Sequence, residues 1–258
     1  MHIADIPDEI LACTGDVRKL TFPMQGHTSV VARITTDLGE FILKKTNHLL
    51  YNEWIRREQS KLVQLANTAL PIPRCIHYVE KGSECWLLMS YMDGIRLREY
   101  LANEHDKRKR EKVIHSYGEV LKQIHNTPCP DSLKNQDTWL SIMLKEAENN
   151  LRYYEVDGTW ELLEQLKANP PVDIENTLIH GDFTIDNAIV RDDRVVGVID
   201  WGAAAYGDPR YDIALAIRPK PNAFENEIDK QLFFEAYGRM VISQEEFEYF
   251  ENGLYDFF

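Results

Sequence analysis

Residues 178–219, LIHGDFTIDNAIVRDDRVVGVIDWGAAAYGDPRYDIALAIRP, constrain this chain more than any other stretch. HGDFTIDN sets His180, Gly181, Asp182 and Asn187 in one polar loop. Short apolar runs follow, and the second, VVGVID, ends in Asp200. A carboxylate, an amide and a second carboxylate therefore sit at the ends of strand-like segments. Asp182 has the chemistry to accept a hydroxyl proton, and Asn187 and Asp200 are hard oxygen donors of the kind magnesium takes together with phosphate oxygens. That combination is what phosphoryl transfer needs: positioning, charge neutralisation and a group that orients the attacking oxygen.

The rest of the chain has to supply a nucleotide pocket and a second substrate. Residues 17–22, 30–36 and 41–45 read as three strands joined by PMQGHTS and DLGE turns, with β-branched residues and partial alternation. Alternation puts Lys44 and Lys45 on opposite faces, one toward a cleft and the other toward solvent. Lys44 then suits phosphate neutralisation as a point charge, with Glu58 to orient it. Residues 51–67 have helical spacing, with Trp54, Ile55, Leu62 and Leu65 on one face. Residues 75–80 and 85–91 are two further strands around a KGSE turn. After Gly94 the pattern becomes helical, over 95–102, 107–126, 137–154, 159–168 and about 209–218, 223–238 and 244–256. The expected division is 1–93, a nucleotide-binding lobe, and 94–258, a helical lobe with the catalytic loop and acceptor site. Asp208-Pro209 reads as an N-cap and first helical residue, and Asp212 as a first-turn carboxylate favoured by the helix dipole. His180 reads as a buried structural imidazole.

Composition narrows the partners. A net charge of −13 over 258 residues argues against a general nucleic-acid binder, which needs basic stripes, and suits a cationic small molecule. No apolar run reaches membrane-spanning length, so no membrane partner is expected. Cys13, Cys75, Cys85 and Cys129 form no C-x-x-C pair, and a cytoplasmic protein with reduced thiols is the expectation. Tyr153, Tyr154 and Trp160 suit an aromatic cage for a quaternary amine, although core packing is the commoner fate of such residues.

HGDFTIDN followed by VIDWG resembles the aminoglycoside phosphotransferases and their choline kinase-like relatives, a branch of the protein-kinase-like fold. FILKK resembles the family's lysine strand, REQSKLVQLA its glutamate helix, LLMSYMDG its linker and LKQIH the long helix before the catalytic loop. ENGLYDFF resembles the carboxyl terminus of the 3'-type aminoglycoside kinases. The resemblance implies an α+β, two-lobed fold: an N-terminal antiparallel sheet plus helix, then a larger, mostly helical C-terminal lobe. It implies ATP or GTP and Mg2+ as cofactors. Asp182 is then the catalytic aspartate, and Asn187 and Asp200 are the metal ligands. Lys44 holds the phosphates with Glu58 as partner, Glu53 being the alternative. Ser90 and Met92 offer backbone groups to adenine, and the segment from Gly26 to Ser29 covers the phosphates. QGHTS carries a single glycine, fewer than a full glycine-rich loop.

The acceptor is expected among the helices after Gly94. Glu155, Asp157, Glu225 with its neighbours to 229, and the carboxylate of Phe258 fall near segments that the 3'-type enzymes use. An aminoglycoside is the favoured acceptor, and a monomer or dimer is expected. The alternatives are a metabolic kinase of a small alcohol such as choline, homoserine or methylthioribose, and a nucleotide-binding pseudokinase module. The presence of Lys44, Asp182, Asn187 and Asp200 together weighs against the last.

Overall fold

The structure is a computed structural model that describes residues 1–23, 29–238 and 242–258. Contacts divide it into two compact units: Met1–Asp93 with Gly197–Ala203, and Gly94–Val196 with Ala204–Phe258.

The first unit is built on a five-stranded antiparallel sheet. Its strands are β1 (Val17–Thr21), β2 (Val30–Thr36), β3 (Glu40–Thr46), β4 (Cys75–Lys81) and β5 (Glu84–Ser90), in the order β1-β2-β3-β5-β4. Registers such as Leu43 opposite Leu88 and Lys44 opposite Leu87 sort the side chains to two faces. Ile34, Leu43, Trp86 and Leu88 share one face and bury Ile6 and Ile10 against it. Ile10 belongs to helix α1 (Asp8–Thr14), which the pattern reading did not include. The signals for it were local: Pro7 at the N-cap, Asp8 and Glu9 in the first turn, and Gly15 at φ 70° closing it. The opposite face carries α2 (Leu49–Leu65), which buries Ile55, Leu62 and Leu65.

The two lysines of β3 do lie on opposite faces, but Lys45 does not meet solvent freely. Its ammonium sits 4.4 Å from the centre of the Trp86 ring and 2.7 Å from Glu84, and the side chain is 16% exposed. The face that alternation assigns to it is the one the N-terminal helix covers, so only the tip of the lysine reaches polar surroundings. The segment 197–203, expected in the second lobe, groups with the first unit. The Val198 N–H donates to the Pro71 carbonyl, and the 3₁₀ turn Trp201–Ala203 packs on α2.

The second unit begins with β6 (Ile95–Arg96), not with a helix as the spacing suggested. Ile95 and Arg96 pair with Val190 and Ile189, because an edge beside β8 (Ala188–Arg191) accepts two extended residues before α3 (Leu97–Asn103) starts. Then follow α4 (Lys107–Asn126), α5 (Trp139–Tyr153), α6 (Trp160–Ala168) and β7 (Thr177–Ile179). Beyond β8 come β9 (Arg194–Val198), β10 (Ala205–Gly207), α7 (Pro209–Ala216), α8 (Glu227–Tyr237) and α9 (Gln244–Phe250). Asp192 and Asp193, at φ 52° and 59°, form the tight turn between β8 and β9. Two helix ends fall well short of the expected ranges, the others differing by no more than a residue or two. The α8 helix begins at Glu227 because the Asn226 side chain caps the N–H of Asp229. The α9 helix ends at Phe250, and Gly253 leads into a separate 3₁₀ turn, Leu254–Phe257.

The α4 and α8 helices are in close contact at Gly118, where an added Cβ would fall 2.4 Å from the Phe233 carbonyl oxygen. Helix propensity alone makes Gly118→Ala stabilising by about 1 kcal/mol. Packing predicts the reverse sign, a loss of about 1–3 kcal/mol, because two helix backbones have to separate. Urea denaturation decides it: an equal or higher midpoint for the variant contradicts this contact.

Candidate active site

In the first unit the lysine of β3 meets two carboxylates. Lys44 Nζ donates to Glu58 Oε1 and Oε2 at 2.8 and 2.7 Å and to Asp200 Oδ1 at 3.2 Å. Sheet register sends Lys44 to the α2 face, and Glu58 lies on the buried side of α2 at 4% exposure. Asp200 is delivered by the tethered 197–203 segment, and it stands at φ 68°, a conformation that aspartate tolerates better than most residues. Burial would lower the Lys44 pKa, but Asp200 and Glu58 outweigh it and hold the ammonium above the ordinary lysine range. Burial, and then the neighbouring Asp200 carboxylate, push Glu58 up to about 7 against the pull of Lys44. Glu58 thus owes its charge to the lysine. Glu53, the alternative partner, is turned to Arg56 and Arg57 instead.

The linker residues follow β5. The Ser90 N–H is committed to the Arg74 carbonyl, and its Oγ accepts from the Arg74 N–H. Met92 lies just beyond, half-buried. Ser29 is half-buried ahead of β2, and Gly26 lies outside the described residues.

In the second unit the loop after β7 is fixed by one carboxylate. Asp212, fully buried, accepts the His180 N–H at 2.6 Å, the Gly181 N–H at 2.8 Å, and lies 3.2 Å from His125 Nε2. The expected first-turn dipole role is therefore not its main one. Asp212 faces inward from the first turn of α7 and supplies the acceptors that two consecutive loop amides need once they are buried. Asp208 does cap α7, accepting the Arg210 N–H at 2.9 Å with Pro209 next in line. His180 is fully buried, and its Nδ1 accepts the Asp182 N–H at 3.2 Å.

That anchoring presents Asp182. Asn187 Nδ2 donates to its carbonyl at 2.9 Å and to its Oδ2 at 2.7 Å, and Tyr255 Oη donates to its Oδ1 at 3.0 Å. With its amide nitrogen so used, Asn187 keeps its carbonyl oxygen as the atom suited to a cation. Later in the same loop, Asp186 forms a two-point ion pair with Arg98 at 2.5 Å. Burial raises the pKa of Asp186, but Arg98, Arg96 and Lys220 bring it below the usual range.

The acceptor-side candidates are less uniform. Glu155 and Asp157 are exposed, and Asp157 lies close enough to Asp256 to help burial raise that carboxyl. Glu225 is exposed and accepts the Asn222 N–H. Phe258 is 36% exposed. In the acidic run that Glu225 opens, Asp229 is buried and spent on the Phe224 N–H and Arg110, while Glu227 pairs with Lys230. Tyr153 and Trp160 are 73% and 43% exposed, so core packing is not their fate. Arg152 stands over the Trp160 ring, a cation already present where a cage would need room for one. Tyr255 and Asp212 are the residues that the pattern reading missed as parts of the site.

Against known proteins, the model of the phosphotransferase enzyme family matches residues 20–243. The chain is 30% identical over 195 residues to an aminoglycoside 3'-phosphotransferase of Enterococcus faecalis, covering 71% of this chain and 72% of the relative. Among solved structures, a type VIII aminoglycoside-3'-phosphotransferase superposes with a TM-score of 0.77 at 20% identity, over 97% of this chain and 98% of the other. The Streptomyces rimosus aminoglycoside phosphotransferase APH(3'')-Id, in complex with ADP and streptomycin, gives 0.70 at 17% identity, over 96% and 95%. The fold is the two-lobed, protein-kinase-like fold of these enzymes. The chain belongs to the phosphotransferase enzyme family and is a small-molecule O-phosphotransferase.

Two stability tests follow from this wiring. Lys44→Met strands Glu58 beside Asp200 and costs about 3 kcal/mol, lowering Tm by roughly 5–10 °C. Adding Glu58→Leu recovers part of that loss, and an unchanged Tm for the single variant contradicts the buried pair. Asp212→Asn turns an amide N–H2 toward backbone donors and costs about 2–4 kcal/mol, read by denaturant unfolding. A midpoint equal to wild type would mean that the loop is anchored by something else.

Proposed function

We propose that this chain transfers the γ-phosphate of ATP to a hydroxyl of an aminoglycoside, in the manner of a 3'-type antibiotic-resistance kinase, in the cytoplasm where ATP is supplied. The observation that carries the reading is the pairing of Lys44 with Glu58 and Asp200, a buried ammonium kept charged by two carboxylates. Lys44 neutralises the nucleotide phosphates. The adenine meets backbone groups of the 90–92 segment; with the Ser90 N–H engaged, the Ser90 carbonyl and the Met92 backbone are the groups for it. Asp182 receives the acceptor hydroxyl proton as the acceptor oxygen bonds to phosphorus, and the bond to the β-phosphate oxygen breaks to leave ADP. Asn187 and Asp200 offer the hard oxygen donors that suit Mg2+, which, when bound, supplies charge neutralisation on the phosphates. Ser29 belongs to the phosphate-covering segment.

The aminoglycoside acceptor is supported by the activity of the related aminoglycoside 3'-phosphotransferases and by the acidic balance of the chain. Glu155, Asp157, Glu225 and the terminal carboxylate of Phe258 are the groups proposed to meet its amines. One observation favours a second reading, a metabolic kinase whose acceptor carries an anionic group. Arg98, Arg218 and Lys220 gather on the Asp186 side of the second unit, where burial, Arg218 and Arg98 depress the Lys220 pKa. A polycation gains nothing from that corner.

An acceptor panel measured by ADP release separates the readings. With kanamycin, streptomycin, choline, homoserine and methylthioribose in one plate, aminoglycoside-dependent turnover is expected. Turnover confined to homoserine, the small alcohol of the panel that carries a carboxylate, would replace the favoured reading with the second, and turnover confined to choline or methylthioribose would overturn both. Asp182→Ala lowers kcat on the order of 10²–10⁴, the scale of a general base, and full turnover in that variant refutes the role of Asp182.

A further inference from the structure

The 3₁₀ turn Leu254–Phe257 reaches the Asp182 carboxylate. Its Tyr255 hydroxyl donates to one oxygen of Asp182 at 3.0 Å, while Asn187 donates to the other at 2.7 Å. One donor fixes a carboxylate's distance. Two donors on different oxygens also fix the plane of the group, and with about four lone-pair sites the carboxylate can still accept an acceptor hydroxyl.

The turn that carries Tyr255 is itself firmly held. Leu254 and Phe257 are fully buried. Asn150 Nδ2 donates to the Phe257 carbonyl at 2.8 Å, and the Gly158 N–H donates to the Asp256 carbonyl at 2.8 Å. A Cβ on Gly158 would fall 2.4 Å from the Phe257 ring, so only glycine lets the 155–158 segment lie this close. Arg218 stands over the Tyr255 ring, 4.9 Å from its centre, and is steadied by Glu251 at 2.8 Å. Burial and the Asp182 carboxylate push the Tyr255 phenol above its ordinary range, against Arg218, so it stays a neutral donor.

We propose that Tyr255 is a positioning residue for phosphoryl transfer: its hydroxyl holds the Asp182 carboxylate in the plane from which it meets the acceptor hydroxyl. The same turn ties the 155–158 segment, on the acceptor side, to that carboxylate, so acceptor placement and base placement share one anchor. This rests on Asp182 being the base.

The test is a double-mutant cycle of Tyr255→Phe with Asp182→Ala, using ATP and kanamycin, or the best acceptor of the panel above. Phenylalanine keeps the ring under Arg218, so Tm and directly measured ATP affinity stay within experimental error of wild type. Tyr255→Phe lowers kcat on the order of tenfold, with KM for ATP changed less than about twofold. In the Asp182→Ala background the same change costs less than about twofold, because no carboxylate is left to orient. Asn150→Ala, which frees the turn without touching either partner, lowers kcat in the same direction and is likewise silent in Asp182→Ala. Equal losses in both backgrounds would make Tyr255 a packing residue and overturn the proposal. So would turnover of Tyr255→Phe within about twofold of wild type. Full turnover of Asp182→Ala alone overturns the base assignment, and this proposal with it, whereas an unaffected Tyr255→Phe beside an impaired Asp182→Ala overturns this proposal only.

Discussion

A buried ammonium between two carboxylates sets the terms for the first unit. Removing Lys44 from water is costly, and so is removing Glu58; each is tolerable because the other is there. The pair therefore demands that β3 and α2 meet in one register and that the 197–203 segment bring Asp200 alongside. The sheet, with the N-terminal helix on one face and α2 on the other, is the frame that keeps the three groups in contact. The phosphate-binding role proposed for Lys44 calls for this treatment: the lysine has to be charged, fixed in place and short of solvent before the nucleotide arrives.

The second unit solves a different problem with a similar device. A loop that presents a carboxylate cannot pair its own amides, so Asp212 from α7 takes two of them. His125, hydrogen-bonded to Tyr237 and close to Asp212, extends that support from α4 to α8. Asp182 is then oriented from one side by Asn187 within the loop, and from the other by Tyr255 from the far end of the chain. The loop's geometry thus depends on contacts that are distant in sequence, over separations such as 73 residues between Tyr255 and Asp182.

That distance explains what pattern reading can and cannot recover. The strands of the sheet and α4 are local: alternation and three-to-four spacing state them directly, and they fall within a residue or so of the expected bounds. Lys44, Glu58, Asp182, Asn187 and Asp200 stand in motifs whose spacing is itself the signal. Asp212 was visible too, but as an ordinary first-turn acid, because nothing local says which way a helix's first turn faces. Tyr255 lay inside a tail that resembles a known carboxyl terminus, yet its hydroxyl acts on a residue that only the fold brings near. Lys45 shows the same limit, since alternation gives a face but not what covers it. The acceptor side is the least legible part, because Glu155, Asp157 and Glu225 are exposed acids with no motif to separate them from solvated ones.

Lys44 and Asp200 are proposed to form one charge-balanced site for a metal-bound nucleotide. Calorimetric titration of ATP, with and without magnesium, into wild type and Asp200→Asn addresses that directly. Magnesium should strengthen ATP binding to wild type, and the variant should lose most of that gain while keeping its fold. An equal gain in both proteins would contradict the account.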